Sequence, residues 1–255
     1  MEILPGFAPA TLNAKRRLIM CTEGQEKMGK TNFGLTMPGP IAVFDMDRGL
    51  EDVVDKFLEE KSIQIVDYRK MMIEVATDIL PSMFKLRWDK FNKDYLNALE
   101  APLDVVRSIL IDTGTELWEY ARLGVLGKLT QVPPLFYPTV NAQFRKIVDL
   151  ALDSEKNLTI THKMKKEYKN SGGDDKGQWT GKYERTGFGE IGNLAQVILR
   201  HGQRCEDGVW GDFFVEVVEC RKNPKIKGDE YEGEMCSFPF VAYEASPGTD
   251  IEEWM

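Results

Sequence analysis

The 255-residue chain is 42% hydrophobic and 10% aromatic, enough apolar mass for a substantial core, and its length suits one large α/β domain better than two small ones. Its net charge of −8 argues against a uniformly basic nucleic-acid binder, and no apolar run approaches the ~18 residues needed to span a bilayer. No basic-then-apolar leader pattern is present, and Cys21, Cys205, Cys220 and Cys236 are far apart without a CxxC pair, which reads as reduced thiols in a cytoplasm rather than a disulfide frame or a zinc site.

The apolar runs alternate between strand and helix patterns. Residues 16–22, RRLIMCT, are a short β-type run into a glycine loop, and KTNFGLTM (30–37) opens a helix. PIAVFDMD (40–47) is a second buried strand, followed by GLEDVVDKFLEE (49–60) with apolar residues at helical spacing. SIQIVDY (62–68) reads as a third strand, and helical patterns fill most of 70–100. RSILIDT (107–113) is a central strand, with helical ELWEYARLGVL (116–126) behind it. VNAQFRKIVDLAL (140–152) is amphipathic, and NLTITH (157–162) is the next strand. Strands separated by helices of this length predict a mostly parallel sheet with helices on both faces. AQVILRH (195–201) and DFFVEVVECRK (212–222) suit antiparallel strands added at the C-terminal edge. The expected organisation is an N-terminal arm (1–15), an α/β core (16–228) and an acidic tail (229–255).

Charge is uneven along this plan. From His162 to Gly187 seven basic residues stand against four acidic ones, whereas eight acidic residues and no basic one follow Lys227. The glycine-rich stretch 169–187, KNSGGDDKGQWTGKYERTG, is long for a loop in a compact domain, which marks it as functional or disordered.

Gly24-x-x-x-x-Gly29-Lys30-Thr31 is a complete Walker A pattern, and a chance match in a chain this long is on the order of one in a hundred. Gly24, Gln25, Glu26, Lys27, Met28, Gly29, Lys30, Thr31 and Asn32 are the expected ATP-phosphate cradle: the glycines let backbone N–H groups turn inward, Lys30 reaches the β/γ-phosphates and the Thr31 hydroxyl ligates Mg²⁺. Lys27 adds a cation that is expected to face solvent. Asp112, ending the 107–113 strand, fits Walker B, a carboxylate delivered to the metal side of the nucleotide. Asp45 and Asp47 share one face at the end of the second strand, where a parallel sheet opens its ligand crevice; the other reading of this pair is a cap for the segment starting near Gly49. In the basic segment, Lys163, Lys165, Lys166, Lys169, Lys176, Lys182 and Arg185 could neutralise phosphates, and Trp179 and Tyr183 could stack on unpaired bases. The alternative there is a solvated loop whose aromatics fold back on the core.

In this order (glycine loop, acidic pair closing the second strand, Walker B, then TITHKMKK before a glycine-rich stretch) the chain resembles the RecA-like P-loop ATPase core, most closely phage-encoded AAA-domain proteins of single-strand annealing and recombination. The resemblance spans about 16–225 and is specific only at the motifs. It implies that Asp47 occupies the position of the family's catalytic Glu, one methylene shorter, and that His162 occupies that of a polar switch residue coupled to a DNA-contacting loop at 163–187. It implies that Arg221 and Lys222 reach a neighbouring subunit's γ-phosphate, and that Phe7 and Ala10 form a tether to the next subunit.

A GTPase is disfavoured because THKM (161–164) lacks the Asp of a guanine-reading motif and FNKDY (91–95) is misspaced. A small-molecule kinase would want an arginine-rich lid, and the candidate lid is mostly lysine. The alternatives that stay open are a nucleotide-gated interaction protein such as a helicase loader and, behind it, a small-molecule kinase. The expected cofactors are ATP and Mg²⁺. The expected partners are single-stranded DNA, further copies of the chain with nucleotide between them, and a single-strand-binding protein, in the cytoplasm of a bacterial host and away from membranes.

Overall fold

The computed structural model describes residues 17–68, 81–127, 133–169, 177–207 and 209–255. The expected arm at 1–15, with Phe7 and Ala10, and also Lys176, lie outside these residues.

The strands are β1 (Ile19–Gly24), β2 (Ile41–Asp45), β3 (Ile63–Asp67), β4 (Ser108–Asp112), β5 (Asn157–Lys169), β6 (Gln178–Arg185), β7 (Val197–Glu206), β8 (Val209–Cys220) and β9 (Glu230–Glu232). The helices are α1 (Lys30–Leu35), α2 (Pro81–Glu100), α3 (Gly114–Leu126), α4 (Tyr137–Asp153) and α5 (Phe238–Ala245). One sheet runs in the order β3-β2-β4-β5-β1-β7-β8-β9, with β6 paired to β5 off this path. Strands β3 to β7 along that path are parallel, and β8 and β9 add antiparallel at the edge.

Strict alternation in the inner strands builds a core on each face. Ile19, Cys21, Ala42, Phe44, Ile109 and Ile111 pack with residues of α2, α3 and α4, while Leu18, Met20, Ile41, Val43 and Leu110 pack with α1 and α5. On the first face Phe91 stacks between Trp88 and Tyr95, with ring centroids 5.3 and 5.9 Å away. On the second, a Cβ at Gly34 would meet Leu110 Cδ1 at 2.5 Å, so the missing side chain lets α1 lie close on β4.

Three departures from the sequence reading have physical causes. The 49–60 segment forms turns and a short 3₁₀ stretch, Val54–Phe57, instead of an α-helix. Arg48 and Asp52 hold positive φ (69° and 64°), which a continuing helix does not accommodate. Residues 164–169 and 178–185 form an antiparallel ribbon: the outer half of β5 leaves the path of the main sheet and pairs with β6, Lys165 opposite Glu184 and Tyr168 opposite Trp179. Its glycines and lysines mask that alternation in the sequence.

The third departure is at the C-terminus. Residues 229–255 are acidic but not a detached tail: α5 buries Phe238, Val241, Ala242 and Ala245, and Trp254 is 3% exposed in the same core. Its indole donates to Thr249 Oγ1 at 3.0 Å. Trp254→Ala is therefore expected to destabilise the fold by about 3 kcal/mol, read as a lower denaturation midpoint at unchanged slope. A midpoint equal to wild type would place the segment outside the cooperative unit. No helix among the described residues is long and apolar enough to cross a membrane.

Candidate nucleotide site

The phosphate-type loop joins β1 to α1 at the carboxyl end of the central strand. At its start, a Cβ on Gly24 would lie 2.9 Å from His201 O, so only glycine fits against β7. At its end, Gly29 caps α1 with φ 82°, the left-handed region that favours glycine. Lys30 is 8% exposed and folds back over the loop, its Nζ donating to Gly24 O at 3.0 Å and Gln25 O at 2.5 Å. Burial lowers its pKa, against the opposing pull of Asp112, Asp47 and Glu26. Gln25, Glu26 and Lys27 are exposed along the loop, as expected for Lys27.

Beside the loop, oxygen donors converge from separate elements. Thr31 Oγ1 donates to Asp112 Oδ2 at 2.7 Å, and Thr161 Oγ1, from β5, donates to Asp112 Oδ1. Asp112 is 1% exposed, and burial pushes its pKa up to about 6 despite the two hydroxyls; Asp47 and Asp45 push the same way. A Cβ on Gly49 would fall 2.4 Å from Asp112 Oδ2 and 3.2 Å from both Asp47 Oδ1 and Thr31 Oγ1. The bare glycine thus leaves a small gap bounded by three oxygens on an acidic wall. Hard oxygen donors with one or two carboxylates suit Mg²⁺, which takes its remaining ligands from water and phosphate. Among the described residues no group of three or more His, Cys, Asp or Glu could hold a metal alone.

Asp45 and Asp47 separate in role. Asp45 is 4% exposed, and its Oδ1 accepts from Asp47 N at 3.3 Å and Arg48 N at 2.9 Å, so it fixes the turn after β2. Asp47 points into the site, its Oδ1 accepting from Gly49 N at 3.2 Å and its Oδ2 paired with Lys163 Nζ at 2.9 Å.

That pair revises two expectations. Lys163, read as a DNA contact, lines the same cavity as Lys30, Thr31, Asp47 and Asp112, a space of about 850 Å³. Burial works against its charge, but the hydrogen bonds it donates to Asp47 and Glu116 outweigh that and raise its pKa to about 12. His162, read as the switch residue, does not line this cavity. Its ring is wholly buried beside Phe144, with Nδ1 3.1 Å from Thr186 O and Nε2 unpartnered, and burial followed by the nearby Arg185 drops its pKa to about 3. Alternation explains the exchange: consecutive residues of β5 face opposite sides of the sheet.

The other predicted residues divide by position. Arg185 turns inward at the root of the ribbon, 3.3 Å from the buried Glu23, which also holds Arg200 at 2.7 Å. Lys165 bridges Glu184 at 3.2 Å, and Lys166 lies 5.0 Å over the Trp179 ring. Trp179 is 47% exposed and meets Tyr183 edge-on at 6.3 Å; Lys169 and Lys182 are exposed on the same ribbon. Arg221 and Lys222 follow β8 at the opposite end of the sheet, bonded to Asn193 O and, at 3.5 Å, to Arg17 O, so within one chain they do not reach the loop.

Sequence reasoning missed Glu116, Thr161 and Phe213. Thr113-x-x-Glu116 is a capping-box pattern that signals Glu116 as a helix-start residue, and Thr113 does cap α3, its Oγ1 accepting from Glu116 N at 3.3 Å. The Glu116 carboxylate goes instead to Lys163 at 2.9 Å. Phe213, on β8, closes the cavity 3.8 Å from a Cβ built on Gly29, a contact between residues too distant in sequence for any local signal.

No curated protein matches the chain. Among solved structures it is similar to a KaiC-like protein from the archaeon Pyrococcus horikoshii OT3, at 12% identity over 86% of this chain and 85% of that one, with a TM-score of 0.47. An AAA domain family matches residues 16–225, so the chain belongs to that family, and its phosphate loop, Walker B strand and parallel sheet form a P-loop ATPase core.

Proposed function

We propose that the protein binds and hydrolyses ATP with Mg²⁺ and acts on single-stranded DNA in recombination or annealing, as a phage-encoded protein in the cytoplasm of its bacterial host. Copies of the chain would stack with nucleotide between them, and a single-strand-binding protein is the further partner. In this reading Lys30 exchanges the loop carbonyls for phosphate oxygens, and Thr31 and Asp112 hold Mg²⁺, Asp112 through water. The ion, when bound, neutralises phosphate charge and fixes phosphate orientation. Asp47 orients the attacking water.

The observation that carries the DNA part is the ribbon rooted at the site. Lys166, Trp179 and Tyr183 share one exposed face, with Lys169 and Lys182 nearby, combining cations for phosphates with rings for unpaired bases. The same strand, six residues back from Lys169, supplies Lys163 to the nucleotide cavity. Trp179→Ala should weaken binding to a fluorescent oligothymidine by roughly 5- to 150-fold, since one stacked base is worth about 1–3 kcal/mol. Lys166→Ala should also flatten the salt dependence by about 0.7 in log–log slope. If single-stranded DNA neither binds the wild type nor changes its ATP turnover, the DNA reading fails.

A second reading, nucleotide-gated contact with another protein, is favoured by the β7–β8 tip. There Val209, Trp210 and Phe213 are 71%, 62% and 42% exposed, and Phe213 lines the cavity. Turnover indifferent to DNA, together with a stable nucleotide-dependent protein complex, would select it.

A further inference from the structure

Lys163 stands where β5 leaves the sheet for the ribbon, and its main chain is held on both sides. Its N–H donates to Thr115 Oγ1 at 3.0 Å, and its carbonyl accepts from Thr186 N and Thr186 Oγ1, each at 2.9 Å. The part left free to change partners is the four-carbon side chain. Its ammonium now sits between Asp47 Oδ2 and Glu116 Oε1, at 2.9 Å from each.

This cation is poorly placed for a purely structural ion pair. It shares a cavity with the Lys30 ammonium, close enough for the two charges to oppose each other, and the side chain is still 29% exposed toward that space. Partly exposed ion pairs contribute little to stability, so the pairing itself does not account for a second ammonium here. One of its two carboxylates, moreover, is Asp47, whose Oδ2 is a weaker acceptor for a water while one of its lone pairs binds an ammonium. An anion entering between the two lysines would relieve both conditions: it would separate the like charges and compete with Asp47 for Lys163.

We propose that Lys163 is a phosphate-binding residue supplied by the same chain: it contacts the terminal phosphate of a bound nucleoside triphosphate, releases Asp47 as it does so, and is kept at the cavity wall by Glu116. This rests on the reading of the cavity as a nucleoside triphosphate site. It places cationic stabilisation of the transferred phosphate within the protomer, where Arg221 and Lys222 do not reach, and it moves the phosphate-sensing role from His162 to its neighbour.

The test compares Lys163→Ala, Lys163→Arg, Glu116→Gln and Lys30→Ala for binding of fluorescent nucleoside di- and triphosphate analogues and for ATP turnover. Lys163→Ala should leave diphosphate affinity within about twofold, erase at least about tenfold of triphosphate preference, and lower kcat about 10²- to 10³-fold, the range for losing one transition-state donor. Lys163→Arg should recover part of both losses, and Glu116→Gln should strengthen triphosphate binding by freeing the ammonium. Equal loss of di- and triphosphate affinity in Lys163→Ala, or no loss of either affinity or turnover, would overturn the proposal. If Lys30→Ala still abolishes binding, the nucleotide reading survives that result; if the wild type binds neither analogue, that reading fails and the proposal fails with it.

Discussion

Lys30→Ala is expected to reduce kcat/KM for ATP hydrolysis by about 10³-fold or more while leaving the protein folded. The size follows from where the ammonium sits. It is 8% exposed, under the turn of the phosphate-type loop, and its present partners are neutral carbonyls, Gly24 O and Gln25 O, rather than a carboxylate in contact. Burial already costs the charge, which lowers its pKa, and an anionic ligand would repay that cost in the low-dielectric space beneath the loop. A charge aimed at developing phosphate charge is worth more than a single neutral donor, and losing such a donor costs roughly 10²–10³ in rate. Stability should fall by no more than about 1–3 kcal/mol, the cost of leaving the buried Gly24 O without its ammonium, since Gln25 is already exposed and free to bind water. Turnover within tenfold of wild type, with the protein folded, would show that the loop does not hold the reacting phosphates.

What could be read from the sequence depended on how local the signal was. The Walker A spacing specifies a backbone shape, so the loop could be read from its own residues, and Gly24 and Gly29 prove necessary for steric and dihedral reasons. Asp112 was legible because an apolar strand delivering a carboxylate is a short pattern. The inner strands were equally plain, since burial on both faces leaves unbroken aliphatic runs. What failed was the side-chain direction of residues next to one another at strand ends. His162 and Lys163 are adjacent, and a shift of one residue decides which reaches the cavity. The ribbon was hidden because its strands leave the sheet: their alternation is between charged and aromatic residues, not apolar and polar ones. The C-terminal segment misled through net charge, which reports its solvent face and says nothing of Phe238, Val241 and Trp254 beneath.

These failures share a cause that also explains the site's layout. Asp47, Glu116 and Lys163 come from three elements distant in sequence, and the parallel sheet brings their ends together. Each is an ordinary strand-end or helix-start residue by itself. The cavity's chemistry arises from their juxtaposition, in which an ammonium holds the carboxylate best placed to orient water. If Lys163 binds the terminal phosphate as proposed, nucleotide state and carboxylate availability are linked through one side chain, whereas a buried neutral His162 has no charge to exchange.

Asp112→Asn should separate catalysis from stability more sharply than any other change. The Asp112 carboxyl is 1% exposed, and burial lifts its pKa to about 6 in the fold, while in the unfolded chain it returns to the ordinary carboxylate range near 3.8. Between those values the native state retains a proton that the unfolded state has lost, so stability falls as pH rises from about 4 to about 6 and is level above. The ionised carboxylate then costs the metal-free fold on the order of 2–3 kcal/mol. An isosteric amide removes that cost and can still satisfy Thr31 and Thr161, whose hydroxyls turn to donate or accept as required. In EDTA the variant should therefore match wild type near pH 4 and exceed it near pH 8, by up to about 2 kcal/mol in denaturant titrations. Its ATP turnover at pH 8 should nonetheless fall by at least about 10²-fold, because a neutral amide lacks the charge to hold Mg²⁺. A variant that hydrolyses ATP like wild type would remove Asp112 from the metal side of the site. A stability difference that does not change with pH would mean that the carboxylate is not held protonated by burial as its surroundings require.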